Sequence, residues 1–148
     1  MIPKGRVIGV DLGSRRIGVA ITDSDQILAT GIEAIGRSGD TSADHRSLAG
    51  RVEDYGAVGV VVGLPVSMSG SRGPAADAVL REVAELRSVL AVAVETVDER
   101  LTTVAASRAL RAAGRRTRDQ RAVIDQTAAA VLLQTWADRR RSAAGAGF

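Results

Sequence analysis

Residues 7–23, VIGVDLGSRRIGVAITD, set two β-branched runs on either side of a short Gly-Ser-Arg turn and put one carboxylate, Asp11, inside the first run. This spacing reads as an antiparallel hairpin with strands over 6–12 and 17–22, closed at Ser14-Arg15-Arg16. Strand interiors disfavour aspartate, and a buried carboxylate without compensation is costly. Asp11 therefore either accepts backbone N–H bonds in the turn or has a chemical use.

The remaining chain extends the hairpin into a mixed sheet. ILATGIEAI at 27–35 reads as a third antiparallel strand. From 41 to 55, Leu48, Val52 and Tyr55 recur at helical spacing, with Thr41 or Ser42 as the expected cap and His45 on the exposed face. VGVVVGLP at 58–65 is an almost unbroken valine run, the pattern of a parallel strand buried on both faces. After the loop 65–74, Ala75, Val79, Val83, Leu86 and Leu90 mark one face of a helix, and AVAVETV at 91–97 a fifth strand. A βαβ crossover is the economical connection.

A helix over 102–112, an arginine-rich segment at 114–121 and a last helix over 122–140 follow, the last with Ile124, Ala128, Val131, Leu132 and Trp136 inward. The expected class is α/β: a mixed five-stranded sheet, three antiparallel strands and then two parallel, flanked by helices. At 148 residues the chain fits one domain, and its tail from about 141 is expected to fray.

Composition excludes several functions. With no cysteine and one histidine, neither a disulfide framework, a thiolate metal site nor a multi-His zinc centre can form. No apolar run approaches the roughly 20 residues of a membrane span, so no membrane partner is expected and the setting is read as cytoplasmic. Aromatics are only 2%, which argues against stacking on single-stranded bases and for recognition of backbone and shape.

Lys4 is the only lysine among 20 basic residues, and arginine's planar fork suits bidentate phosphate contacts. The stretch 100–121 carries Arg100, Arg108, Arg111, Arg115, Arg116, Arg118 and Arg121 against one acid, Asp119. Nucleic acid bound there should dissociate steeply with salt. Gly13 lets a phosphate approach the first turn, where Arg15 and Arg16 would hold it. Arg72 lies in a Gly- and Ser-rich loop beside the C-terminal ends of the parallel strands, where open α/β sheets bind ligands.

Acids stand at three places otherwise built for burial: Asp11, the Asp98-Glu99 pair just past strand five, and Asp125 at the start of the last helix. One divalent cation would compensate them all, and hard carboxylate oxygens suit Mg²⁺ or Mn²⁺. Singly, each has a plainer role: turn acceptor, helix cap facing Thr102, or acid favoured by the helix dipole.

In order, GVDLGSRRIGVAITD, VVGLPVSMSG, VDERLTT and IDQTAAAVLLQ resemble the RuvX (YqgF) family, Holliday-junction resolvases also described as nucleases for pre-16S ribosomal RNA. The resemblance spans about residues 7–137. It implies an RNase H-like fold and a Mg²⁺- or Mn²⁺-dependent endonuclease acting on a four-way DNA junction, on the 5′ end of pre-16S rRNA, or on both.

By matching position, the resemblance makes Asp11, Glu99 and Asp125 the catalytic carboxylates and metal ligands, with Asp98 a further candidate ligand. Arg100 belongs to the same motif and joins Arg15, Arg16, Arg72, Arg115, Arg116 and Arg118 as candidate nucleic-acid contacts. RuvC-type resolvases carry an acid at the end of strand four, where this chain has Gly63-Leu64-Pro65, and another one turn before Asp125, where Ala122 stands. One ion and two ions both stay open. Symmetric junction cutting would need two sites, hence a homodimer. Two other readings are an ATP-binding relative of the actin and sugar-kinase superfamily, and a non-catalytic nucleic-acid-binding factor in ribosome assembly or recombination.

Overall fold

A computed structural model describes residues 1–66, 73–102 and 118–146. The chain opens with β1 (Val7–Leu12), β2 (Arg16–Thr22) and β3 (Ala29–Gly36), followed by helix α1 (Thr41–Asp54) and β4 (Gly59–Leu64). Helix α2 (Pro74–Val89), β5 (Ala93–Asp98), a 3₁₀ turn at Glu99–Leu101 and helix α3 (Arg118–Ala146) complete it. The five strands form one mixed sheet in the order β3-β2-β1-β4-β5. β1–β2 and β2–β3 pair antiparallel, while β1–β4 and β4–β5 pair parallel. The expected sheet is thus present, and the helix expected over 102–112 falls largely outside the described residues.

Alternation along the strands divides the core into two layers. Ile8, Val10, Ile17, Val19, Val60, Val62 and Val94 face α1 and α2, which cover them with Leu48, Val52, Val79, Val83 and Leu86. Val7, Ala20, Val61 and Val97 face α3, against Ala129, Leu133, Trp136 and Ala137. β1 is central and buried at all six positions, so both layers depend on it.

Several local expectations change. Asp40, not Thr41 or Ser42, caps α1, its carboxylate accepting from Ala43 N at 3.2 Å. Pro74 opens α2, where a missing N–H costs nothing, and this turns Ala76 rather than Ala75 into the core. His45 is buried at 1% exposure, because α1 has a short apolar stripe and packs the turn before Leu48 against α2 as well.

Arg16 begins β2 instead of closing the hairpin turn. Helix α3 runs from Arg118, about 44 Å in length at 1.5 Å per residue, and the tail expected to fray is helical as far as Ala146. Ile124 and Val131 are half-buried, and Ala129, Leu133 and Ala137 are buried with Ala128, Leu132 and Trp136. Among the described residues no helix is long and apolar enough to cross a membrane.

Candidate active site

Asp11 lies on the α3 side of β1, since Val7 two pleats earlier on the same face packs against that helix. It is 1% exposed. Its register partner on β2 is Gly18. On the other side the parallel register ends at Val10–Val62, which brings Gly63 of β4 alongside Asp11.

Both neighbouring positions are bare for a reason. A Cβ on Gly18 would stand 2.1 Å from the carbonyl oxygen of Asp125, and one on Gly63 would stand 3.0 Å from Glu99 Oε1 and 2.6 Å from Leu132 Cδ1. The backbone bearing Asp125 therefore covers one flank of Asp11, and the carboxylate of Glu99 covers the other. With strands about 4.8 Å apart, the three acids belong to one patch at the C-terminal ends of β1 and β4. Glu99 and Asp125 are buried too, at 3% and 2% exposure.

Glu99 reaches Gly63 because β5 ends in a 3₁₀ turn. Asp98 caps that turn, accepting from Arg100 N at 2.9 Å, while Thr102 donates to the Glu99 carbonyl through N and Oγ1 at 3.0 and 2.8 Å. The Asp98 side chain also takes the Arg100 guanidinium, with Nε at 2.9 Å and Nη2 at 2.5 Å from Oδ2. These hydrogen bonds hold the Asp98 carboxyl below its ordinary range. Asp98 is paired with Leu64, whose side chain packs in the opposite layer from Asp11. The two members of the acid pair thus occupy different surroundings: Asp98 serves the turn and Arg100, and Glu99 points into the patch.

Arg16 does not project into solvent. Its Nε donates to Asp125 Oδ2 at 2.7 Å, with 15% of the Arg16 side chain exposed and 3% of the Asp125 side chain. Arg15, one residue earlier in the turn, is exposed. Arg72, Arg115 and Arg116 lie outside the described residues, and Arg118 is the first residue of α3.

The sequence reading missed Arg37, immediately after β3. Its Nε donates to Gly13 O at 3.0 Å and its N to Arg15 O at 2.9 Å, so it clamps the turn that follows Asp11. Its two Nη atoms meet Glu82 of α2 at 3.0 and 2.7 Å, and His45 Nε2 stands 2.9 Å from the same carboxylate. Burial pushes the Glu82 carboxyl up, but hydrogen bonds from Arg37 and His45 outweigh it and hold the group below its ordinary range. Only a charge on either side of a turn hinted at this network, because its partners come from three separate elements.

The donor chemistry of the patch suits a hard divalent cation: three buried carboxylates, in a sequence with no cysteine to offer a thiolate. The absent side chains at 18 and 63 give that patch its floor. As the side chains stand, no three His, Asp or Glu among the described residues close into a ready metal cage. One of the three, Asp125, is bonded to Arg16.

Comparison with known proteins agrees with this architecture. The family model described as "RuvX: Holliday junction resolvase" matches residues 5–139. A protein of Mycolicibacterium paratuberculosis named "Putative pre-16S rRNA nuclease" is 51% identical over 142 residues, which is 95% of this chain and 84% of the relative. One of Rhodococcus opacus with the same name is 49% identical over 148 residues, 97% of this chain and 83% of that protein. In fold, the chain is similar to T. thermophilus RuvC in complex with a Holliday junction substrate, with a TM-score of 0.57 at 15% identity over 91% of this chain and 96% of that one. The sheet and its flanking helices are accordingly RNase H-like. With the match extending from before β1 into α3, the chain belongs to the RuvX family of Holliday junction resolvases.

Proposed function

We propose that this chain is a divalent-metal-dependent endonuclease that hydrolyses nucleic-acid phosphodiesters, with Asp11, Glu99 and Asp125 holding Mg²⁺ or Mn²⁺. The observation that carries the reading is the pair of glycines beside Asp11, one beneath the backbone of Asp125 and the other beneath the carboxylate of Glu99. When bound, the ion would lower the pKa of a water and offset charge on the leaving oxygen.

The chain's own residues do the rest. Burial keeps the three carboxylates from being solvated and favours a cation among them. The 3₁₀ turn, pinned by Asp98 and Thr102, sets the reach of Glu99. Arg37 fixes the carbonyls of Gly13 and Arg15, which holds the exposed Arg15 at the rim as a phosphate contact. Arg100, on the same 3₁₀ turn as Glu99 and paired with Asp98, is a further candidate phosphate contact.

The names of the relatives favour pre-16S rRNA as substrate, and the family description favours a Holliday junction. A cytoplasmic enzyme meets both, and symmetric cutting of a junction would engage a homodimer. The decisive experiment offers both substrates side by side with Mg²⁺, Mn²⁺ or chelator, to the wild type and Asp11→Asn. Metal-dependent products from wild type alone support the proposal. Binding without cleavage by a folded wild type would make the chain a non-catalytic nucleic-acid factor, and undiminished cleavage by Asp11→Asn would remove the proposed site.

A further inference from the structure

We propose that Arg16 is an internal counter-cation for Asp125 that an incoming divalent ion must displace, so that metal entry frees the Arg16 guanidinium. The inference rests on Asp125 being a metal ligand, as proposed above.

The two side chains are bonded at 2.7 Å and both are largely shielded from water. Neither can exchange its partner for bulk solvent cheaply, and a pair in such surroundings is poorly screened by salt. The partners differ in freedom. Asp125 is held at its backbone, where α3 rests on Gly18 so closely that no side chain fits between. Arg16 is anchored only at its Cα, on the first residue of β2, and has four rotatable bonds before its guanidinium.

Of the two, Arg16 has the longer reach with which to leave the pair when an ion arrives at Asp125. This agrees with the side chains as they stand: the buried acids share one patch, yet no group of three closes into a metal cage. Exchanging one cation for another keeps the carboxylate charge compensated throughout, so Asp125 never has to be buried alone. The freed guanidinium starts next to Arg15 in the turn and has a short path to the same rim, where a substrate phosphate would be its new partner.

The test uses Mn²⁺ alone, titrated by calorimetry into the full chain without nucleic acid and followed in parallel by the loss of the free-ion paramagnetic resonance signal. Thermal unfolding checks each variant. Arg16→Met keeps length and loses charge, and it should bind Mn²⁺ about tenfold more tightly than wild type, or about 1.4 kcal/mol. Arg16→Lys, without the planar fork, should fall between. Equal or weaker binding by a folded variant overturns the inference while leaving the metal reading intact.

A measurement on the unmutated protein is independent of any folding defect. The Arg16 Nε–H proton, protected by the ion pair, should shift and exchange faster on addition of Mg²⁺. An unchanged signal at saturating Mg²⁺ overturns the inference, and failure of the wild type to bind either ion overturns the metal reading with it.

Discussion

Arg16 Nε and Asp125 Oδ2 stand 2.7 Å apart, although 109 residues separate them in the chain. Two residues further along β2, Gly18 touches the backbone of the same aspartate. Helix and strand are thus joined twice within one stretch, once by charge and once by close contact. Removing the acid leaves a guanidinium in a mostly buried position, and unpairing a buried ion costs about 3–5 kcal/mol. Asp125→Ala should lose about 3 kcal/mol, near the lower end because Arg16 retains some access to water. Urea unfolding checks it, and a loss under about 1 kcal/mol would show that the pair contributes little.

Gly18→Ala places a methyl group where the Asp125 carbonyl already sits. Main chain cannot rotate aside as a side chain can, so the helix must move. The expected cost is about 3 kcal/mol, at the upper end of ordinary overpacking. Gly36→Ala, with nothing within 4 Å of its added carbon, is the matched control and should stay within about 0.5 kcal/mol. Equal melting temperatures for the two variants would contradict the close approach.

Glu99 and Asp98 are adjacent but should separate sharply in kinetics. Glu99→Gln removes a charged oxygen from beside Asp11, and losing several kcal/mol of transition-state stabilisation corresponds to about a thousandfold in rate. Asp98→Asn weakens only the cap and the Arg100 pair, so the expected loss is within about tenfold. Single-turnover cleavage of whichever substrate is cut would decide, and a reversed order would move the ligand role to Asp98.

Glu82 supplies a pH dependence. Its folded-state pKa is depressed, so its contribution to stability is present above the unfolded value near 4.5 and disappears as pH falls through the folded value. Wild type should therefore lose stability steeply below about pH 4.5, and Glu82→Gln should have a shallower acid limb with lower stability at neutral pH. Denaturant midpoints from pH 7 to pH 3 would show it. Parallel curves would mean that the Arg37 and His45 bonds do not favour the charged carboxyl.

Arg15 stands exposed at the rim, so its role should show in salt dependence. Replacing it by alanine should weaken binding and lower the slope of log affinity against log salt by about 1, the signature of one lost phosphate contact. Fluorescence anisotropy at several ionic strengths measures it. An unaltered slope would place the phosphate backbone elsewhere.

The sheet was legible because β-branched runs bounded by turn residues mark the strands and their order, and Asp11 stood out because an acid is anomalous inside such a run. The Asp98-Glu99 pair and Asp125 stood out for a similar reason, lying at the edges of apolar segments, but the segment edge did not choose between Asp98 and Glu99; that preference came from the family resemblance. Arg16 read as a phosphate contact because arginines in turns are normally solvated, and nothing nearby in sequence points to a partner in the last helix. The need for glycine at 18 and 63 was not legible, because it depends on the element packed above each strand. His45 and Arg37 were obscure because their shared partner, Glu82, is 37 and 45 residues away, on a helix whose rotation depends on how Pro74 starts it.

The bare main-chain seam between β2 and α3 has a mechanical consequence. Side-chain contacts can absorb a small displacement by changing rotamer, whereas this seam has no such cushion. A displacement of α3 at this turn should therefore reach Asp125 through main chain alone, and with it the alignment of the acids.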